Sequence, residues 1–276
     1  MTRFLKMHGL GNDFVVFDAR QQAFALSSET ARAIANRRHG VGCDQVIVIE
    51  RGKNGFDAVM RSVNADGGEI ESCGNASRCV ARLLMDELDR SEIRIDTLGG
   101  PLVCSDAGRG DVTVDMGPPR FQWREIPLAR DVDTKRFPLD VDETIFEASA
   151  VSVGNPHCVL FVDDAEVAPI AELGASIEVH AMFPKRTNVE FVTVRDRAHL
   201  RMRVWERGAG ITSACGTGAC AALAATRRLG LCERKVEILL DGGPLTIELR
   251  KSDDHLLMTG PTALSFQGEL DLKAYA

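Results

Sequence analysis

The sequence predicts an α+β protein of two pseudo-symmetric domains, each a mostly antiparallel or mixed β-sheet wrapped around a central apolar helix. Two observations carry this prediction. A glycine-studded loop leads into a Cys-Gly pair and a helix twice in the 276 residues, at Cys73 and at Cys215. Short β-branched segments bounded by turn residues flank both helices and outnumber them. Self-similarity at a fixed offset is the signature of a duplicated unit.

The duplication is supported by pairs of residues that keep an offset of 142 or 143 positions. Besides the two cysteines, the pairs are Gly11-Asn12 with Gly154-Asn155, Gln45 with Asn188, Asn64 with Glu206, Gly99-Gly100-Pro101 with Gly242-Gly243-Pro244, and Gly117-Pro118 with Gly260-Pro261. We therefore predict one domain over residues 1–117 and a second over residues 118–261. The tail, residues 262–276, is expected to pack back on the first domain.

The first half alternates strand patterns with two helices. Ser27 to Glu29 predict the start of a helix over Thr30–Arg38 that ends at Gly40, and Asn54-Gly55 predicts a tight turn. A second helix follows Cys73, with an apolar stripe over Val80–Leu88. The predicted strands are Arg3–Met7, Phe14–Asp18, Gln45–Glu50, Ala58–Asn64, Glu92–Thr97, Leu102–Ser105 and Val112–Met116.

The second half repeats this plan. The helix after Cys215 consists of small apolar residues on almost every side, followed by a stop at Gly230, and a helix of this kind is typically buried. The predicted strands are Val151–Val153, Cys158–Val162, Val189–Val194, His199–Trp205, Lys235–Leu240, Leu245–Arg250 and His255–Gly260.

Composition excludes several classes of function. A net charge of −7 without a basic run argues against a nucleic-acid partner. No apolar stretch approaches the ~20 residues that span a bilayer, and the N-terminal residues lack the core of a signal peptide, so we expect a cytoplasmic protein.

The eight cysteines then need an explanation that fits a reducing compartment. A disulfide framework and a zinc site are both disfavoured, by compartment and by spacing. Six cysteines are expected to be small buried hydrophobic residues: Cys43, Cys79, Cys104, Cys158, Cys220 and Cys232.

Cys73 and Cys215 differ because each precedes a helix. Unpaired N–H groups at a helix start carry partial positive charge, which lowers the pKa of a thiol and attracts a carboxylate. Two thiols on opposite faces of one carbon would invert a stereocentre by proton transfer, so we expect a site between the domains. No pyridoxal-phosphate, P-loop or dinucleotide motif is present, which favours a mechanism without a cofactor or metal.

Several motifs together resemble the diaminopimelate epimerase family. They are Met7-His-Gly-Leu-Gly-Asn-Asp-Phe-Val, Asn64-Ala-Asp-Gly, Cys73-Gly-Asn, Gly154-Asn-Pro-His157, Asn188-Val-Glu-Phe, Glu206-Arg-Gly and Ala214-Cys-Gly-Thr-Gly-Ala. The resemblance covers the whole chain in the family's order. It implies a homodimeric, cofactor-independent isomerase that converts LL-2,6-diaminoheptanedioate to the meso form, a step that feeds lysine and peptidoglycan precursors.

The resemblance also implies roles for individual residues. Cys215 would accept a proton and Cys73 would donate one in the LL-to-meso direction, while His157 and Glu206 would tune the thiols. The implied substrate-binding residues are Asn12, Gln45, Asn64, Gly74, Asn75, Asn155, Asn188, Glu206, Arg207, Gly216 and Thr217. Arg207 suits the distal carboxylate because its planar guanidinium matches a carboxylate with two hydrogen bonds. Ala76 and Ile211 depart from the commoner family pattern, and we expect local effects only.

Three alternatives remain open from the residues. A proline or hydroxyproline racemase-like enzyme would also use two cysteines. A thiol redox protein would use them for disulfide exchange, although no Cys-x-x-Cys motif is present. A non-catalytic amino-acid-binding protein would bind without needing either thiol.

Overall fold

The computed structural model describes residues 1–22, 25–70 and 74–275. The chain divides into two compact units: unit 1 is Met1–Val114 with Gly260–Ala276, and unit 2 is Asp115–Thr259. The division at residues 117 and 261, as units of the duplication, stays a prediction. Of the helices in the described part of the chain, none is long and apolar enough to cross a membrane.

The elements up to residue 115 follow the predicted order. They are β1 (Thr2–Gly9), β2 (Asn12–Asp18), α1 (Ser28–Ala35), β3 (Gln45–Arg51), β4 (Ala58–Asn64), β5 (Glu69–Ile70), α2 (Gly74–Leu88), β6 (Glu92–Thr97), β7 (Leu102–Gly108) and β8 (Asp111–Asp115).

The remaining elements begin with one additional strand and then repeat that order. A further strand and a 3₁₀ turn follow at the end of the chain. In order, these elements are β9 (Phe137–Val141), β10 (Thr144–Ser152), β11 (Pro156–Phe161), α3 (Ile170–Glu178), β12 (Asn188–Val194), β13 (His199–Glu206), β14 (Gly210–Ile211), α4 (Gly216–Arg228), β15 (Lys235–Leu240), β16 (Gly243–Leu249), β17 (Leu256–Gly260), β18 (Ala263–Leu270) and a 3₁₀ turn (Leu272–Tyr275).

Strand pairing within each unit confirms the duplicated α+β fold. In unit 1, β2 and β3 pair in parallel, β3 and β4 antiparallel, and β4 and β6 in parallel. In unit 2, β11 and β12 pair in parallel, β12 and β13 antiparallel, and β13 and β15 in parallel. The register agrees as well, because Phe14 pairs with Gln45 as His157 pairs with Asn188. Short strands β5 and β14 each extend the hairpin that precedes a central helix.

The central helices are buried, as predicted. In α4 every residue from Gly216 to Thr226 is buried, and the Thr226 hydroxyl is satisfied by donating to the Ala222 carbonyl over 2.6 Å. The helix ends where Gly230 adopts a positive φ of 76°, a conformation that favours glycine. In α2 the first eight residues are buried, whereas the last turn faces solvent.

Some element predictions were wrong. The first helix ends at Ala35 instead of Arg38, because the Asn36 side chain accepts from the next turn and draws the chain out of the helix. Helix α3 and the strands β5, β9, β14 and β18 were not predicted, and β10 covers Thr144–Ser152 instead of the predicted Val151–Val153. Helix α3 has no side-chain cap at Pro169 and contains Gly174. A segment with a proline and a glycine at these places has the sequence pattern of a loop. β18 pairs antiparallel with β1 in unit 1.

Candidate active site

Cys215 is the N-cap residue of α4, and it is only 4% exposed. Its backbone is extended, so the chain turns sharply into the helix at Gly216. The Gly218 N–H donates to Cys215 Sγ over 3.4 Å, and the Thr217 hydroxyl lies 3.5 Å from the same sulfur. One of the helix N–H groups that lack an intrahelical partner is therefore satisfied by the thiol.

The electrostatic surroundings of Cys215 do not lower its pKa. Burial raises the pKa of the Cys215 thiol well above its ordinary value, and Glu206 and Glu190 raise it further. The hydrogen bonds from Thr217 and Gly218 act the other way and are smaller. The prediction of an acidified thiol is thus wrong for Cys215, since a helix N-terminus does not offset removal from water beside two carboxylates. A thiol with a raised pKa needs a base to become a nucleophile or proton acceptor.

Glu206 is positioned to be that base. It is the last residue of β13, it hydrogen-bonds with the Cys215 side chain, and its Oε1 accepts from the Thr212 hydroxyl. Burial raises the pKa of the Glu206 carboxyl, although both of these hydrogen bonds and the nearby His157 lower it in part. The raised pKa makes the Glu206 carboxylate a stronger proton acceptor than a solvent-exposed glutamate.

His157 lies in β11 and connects a second carboxylate to the thiol. Its Nδ1 is 2.6 Å from Glu190 Oε1, and its Nε2 is 2.9 Å from Asn155 Oδ1. Asn155 Nδ2 donates to the Thr217 hydroxyl oxygen over 3.4 Å, and that oxygen contacts Cys215 Sγ. A continuous chain of polar contacts therefore runs from Glu190 to the thiol.

Arg207 lies in the turn between β13 and β14, which two side chains hold in place. Asn188 Oδ1 accepts from the Arg207 backbone N–H over 2.9 Å. Glu178 of α3 accepts from Trp205 Nε1 over 2.7 Å and from the Gly208 N–H over 3.0 Å. The backbone that carries Arg207 is therefore anchored on both sides.

In unit 1 the predicted binding residues form a group of amides. Asn75 Nδ2 donates to Asn12 Oδ1 over 3.1 Å, and Asn12 Nδ2 donates to Asp44 Oδ2 over 2.9 Å. Gln45 Nε2 donates to Asn64 Oδ1 over 3.3 Å, because these two residues pair across β3 and β4. Each amide is oriented by a neighbour.

Helix α2 begins at the predicted residues Gly74 and Asn75, both buried. Cys73, the other predicted catalytic residue, lies outside the described residues. Arg78, one turn into the helix, is fully buried, and a Cβ on Gly9 would come within 2.9 Å of its guanidinium. The start of α2 thus has a buried cation in its vicinity.

The structure brings the predicted site residues together within each unit. The residues that surround Cys215 or connect to it are Asn155, His157, Glu206, Gly216 and Thr217. Arg207 lies on the adjoining turn, and Asn188 of β12 holds that turn through its hydrogen bond to the Arg207 N–H. Asn12, Gln45, Asn64, Gly74 and Asn75 form the group in unit 1. Their roles in binding and catalysis stay predictions.

Three further residues were missed by the sequence analysis: Glu190, Glu178 and Asp44. Glu190 carried a usable signal, because it is a carboxylate inside an otherwise apolar strand pattern, two residues after Asn188. Glu178 and Asp44 carried none, since their partners lie far away in sequence.

The remaining predictions about single residues concern the other cysteines, Ala76 and Ile211. The six other cysteines are buried, as predicted. Ala76 is fully buried inside α2, and Ile211 is half exposed in β14.

Comparison with solved structures shows which kind of fold the chain has. The fold resembles that of a hydroxyproline epimerase from Agrobacterium vitis, with a TM-score of 0.69 at 16% identity, covering 97% of this chain and 91% of that one. At this identity the likeness concerns the fold alone.

The family follows from sequence. The model of the family "Diaminopimelate epimerase" matches residues 4–122 and 149–264. A protein of that name from Rhodospirillum centenum is 52% identical over 98% of this chain and 92% of its own length, and one from Phenylobacterium zucineum is 51% identical over 97% of both. The chain belongs to the diaminopimelate epimerase family, which is a family of isomerases.

Proposed function

We propose that the chain catalyses the cofactor-independent epimerisation of LL-2,6-diaminoheptanedioate to the meso isomer, with Cys215 and Cys73 as acid–base residues. The observation that carries the proposal is the buried Cys215 thiol at the start of α4, hydrogen-bonded to Glu206. The duplication supports an equivalent role for Cys73 before α2. The names of the relatives support the substrate.

In the LL-to-meso direction, Glu206 accepts the thiol proton of Cys215. The resulting thiolate takes the α-proton, so an S–H bond forms as the C–H bond breaks, and the electron pair left on carbon spreads into the α-carboxylate. The Cys73 thiol then gives its proton to the other face of the carbon. The cycle closes when the proton held on Glu206 returns through water to Cys73.

The raised pKa of Cys215 is useful in this scheme. A thiolate whose conjugate acid is weak is a stronger base, and an amino-acid α-proton needs a strong base. Glu206 makes the thiolate available without stabilising it in advance. The N–H groups at the start of α4 and α2, around Gly216, Thr217, Gly74 and Asn75, would stabilise charge that develops on the α-carboxylate.

The remaining residues would bind the two polar ends of the substrate. Arg207 on its anchored turn suits the distal carboxylate. Glu206 can also accept from an ammonium group, and the amides would complete the binding set: Asn12, Gln45, Asn64, Asn155 and Asn188. An apolar or monocarboxylic substrate would leave these groups unpaired, which is unfavourable.

The proposal includes a place in lysine and peptidoglycan-precursor synthesis and a homodimer, both carried by the family relationship. Sedimentation equilibrium tests the dimer: a single species of twice the chain mass supports it, and a monomer at all concentrations contradicts it.

The decisive experiment follows deuterium incorporation at the α-carbon of LL-2,6-diaminoheptanedioate by NMR, in D₂O with reductant and no added cofactor. We expect exchange together with the meso isomer, and loss of both in Cys215→Ala. Exchange with proline or hydroxyproline instead would identify a racemase of the related kind. Binding without exchange of any of these compounds would leave a redox or binding role for the thiols.

A further inference from the structure

Glu190 is a fully buried carboxylate in the middle of β12. Its Oε1 lies 2.6 Å from Nδ1 of His157, and both side chains have no exposed surface. Its Oε2 is also buried, and no group among the described residues hydrogen-bonds to it. Burying a carboxylate is costly unless it is paired, so the contact with His157 is the interaction that makes this position tolerable.

The contact restricts the hydrogen-bonding roles of His157. An ionised carboxylate can only accept, so Nδ1 of His157 must donate to Glu190. Nε2 faces Asn155 Oδ1 at 2.9 Å. Either the ring is an imidazolium that donates from both nitrogens, or it is neutral and the Asn155 amide turns its Nδ2 toward the ring.

The two arrangements leave Cys215 with different hydrogen-bond donors. With the imidazolium, Asn155 Nδ2 donates to the Thr217 oxygen, which leaves the Thr217 hydroxyl hydrogen for another acceptor such as a thiolate. With the neutral ring, Asn155 Oδ1 takes that hydroxyl hydrogen, and Cys215 Sγ keeps the Gly218 N–H as a donor but loses the Thr217 hydroxyl. The direction of the hydrogen bond between His157 and Asn155 therefore sets whether Thr217 can stabilise a thiolate.

We propose that Glu190 is a positioning residue for acid–base catalysis, which holds His157 with Nδ1 as donor and thereby directs the hydrogen-bond chain that ends on Cys215. The inference deepens the proposed epimerase function and rests on it. Glu190 does not touch the reacting carbon, and it acts through His157.

The charges around the site agree with this role. In the part of the chain that the structure describes, the titratable groups near His157 include Cys158 of β11, Glu190 of β12, Glu206 of β13, and Cys215 at the start of α4. The Glu190 charge raises the pKa values of Glu206 and Cys215, whereas His157 lowers the pKa of Glu206.

Gly218 shows that the space for the carboxylate is closely fitted. A Cβ at Gly218 would lie 2.9 Å from Glu190 Oε1 and 3.3 Å from Cys215 Sγ. The carboxylate cannot easily move away because it is enclosed and bonded to His157. Gly218→Ala should therefore displace Glu190 without removing its charge.

The kinetic test compares Glu190→Gln with Glu190→Asp. Glutamine keeps the shape and removes the charge, whereas aspartate keeps the charge and shortens the side chain. We expect Glu190→Gln to lower kcat roughly 100-fold at nearly unchanged KM, the lower range for loss of an acid–base group, and Glu190→Asp to retain more activity than Glu190→Gln. The matched control is Glu233→Gln, an exposed carboxylate paired with Arg197, whose activity should be that of the wild type. If Glu190→Gln is as active as the wild type or more active than Glu190→Asp, the residue only fills space, and the proposal is wrong.

A second measurement does not depend on turnover. ¹⁵N–¹H NMR of the histidine rings in the intact protein should show a Nδ1–H of His157 protected from solvent, and this signal should be lost or shifted in Glu190→Gln. Gly218→Ala should shift the same signal and lower kcat, even if Glu190→Gln does not fold. A wild-type ring without a Nδ1 proton overturns the inference. If the wild type exchanges no substrate α-proton, the proposed function fails, while the ring signal still reports on the Glu190–His157 pair.

Discussion

The starts of α2 and α4 occupy the same place in two copies of one fold, but the side chains around them differ in chemistry. Equivalent strand and helix positions in unit 2 and unit 1 hold His157 and Phe14, Glu190 and Ile47, Glu206 and Asn64, and Cys220 and Arg78. Unit 2 therefore surrounds its cysteine with titratable groups. The described part of unit 1 offers amides oriented by Asp44, with a buried arginine in the helix.

This difference indicates a division of labour that a duplication permits. The backbone plan was retained, and with it the helix starts that suit a thiol and a carboxylate. Acid–base groups are needed where a thiol with a raised pKa must lose its proton, and in the described residues that arrangement is found at Cys215. The amides of unit 1 suit orientation and binding.

We expect the largest effect from variants that remove Cys73 or Cys215, the cysteines that the two halves share. Cys73→Ala and Cys215→Ala should each lower epimerisation by about 10⁴-fold, the upper range for a general acid–base group. Matched controls are Cys79→Ala and Cys220→Ala, which remove buried thiols further along the same helices and should stay active. Full activity in either catalytic variant would reject a mechanism with two thiols.

The next largest effect is expected from the loss of Glu206, the base that is proposed for unit 2 only. Glu206→Gln replaces the carboxylate beside Cys215 with an amide, the type of group that Asn64 supplies at the equivalent strand position of unit 1, and should lower kcat by roughly 10²- to 10³-fold. The control is Glu248→Gln, which changes a half-buried carboxylate of β16 that pairs with Lys235. An equal loss from both variants would remove the special role of Glu206.

The pH profile of the wild type provides a separate test of Glu206. Because burial raises its carboxyl pKa, the carboxylate is protonated as pH falls through a value above the ordinary 4.5, and it can then no longer accept the Cys215 proton. We expect kcat to fall on this acid side in the wild type. Glu206→Gln should lack that limb, and an unchanged limb would assign it to another group.

A smaller effect is expected from unit 1. Asp44→Asn weakens the acceptor that orients Asn12 and should raise KM about 10-fold with little change in kcat, as expected for one hydrogen bond to a charged group. Steady-state kinetics beside Glu190→Gln would show the contrast between the halves. A fall in kcat with unchanged KM would contradict the assignment of unit 1 to binding.

The smallest expected effect is the contribution of single buried thiols to the free energy of unfolding. Burial raises the pKa of Cys43 and of Cys104 to about 12, so both stay protonated in the folded state while the unfolded chain ionises above ~8.5. The unfolded state then binds fewer protons, and the free energy of unfolding should fall as pH rises from about 9 to 12, by at most ~1.4 kcal/mol per pH unit per thiol. Urea unfolding at several pH values measures this slope. Cys104→Ala should make it shallower, and an unchanged slope would exclude Cys104 as a contributor.

Local patterns accounted for much of the fold. The strands Ala58–Asn64, Glu92–Thr97 and Lys235–Leu240 were predicted to the residue, because each alternates buried and exposed side chains between clear turn signals. Helix α3 escaped because its glycine serves packing: a Cβ at Gly174 would lie 2.5 Å from Trp205 Cβ. Only knowledge of the neighbouring strand could distinguish this glycine from a loop residue.

The sequence by itself determined the duplication, the Cys-Gly pair that recurs in both halves of the chain, and the family. These follow from spacing and from short-range patterns, which the chain carries in linear form. The tertiary structure alone decided that Cys215 has a raised pKa, and that Glu190 meets His157 from 33 residues away. Proton affinity depends on burial and on charges brought together by strand register, and neither quantity is local in sequence.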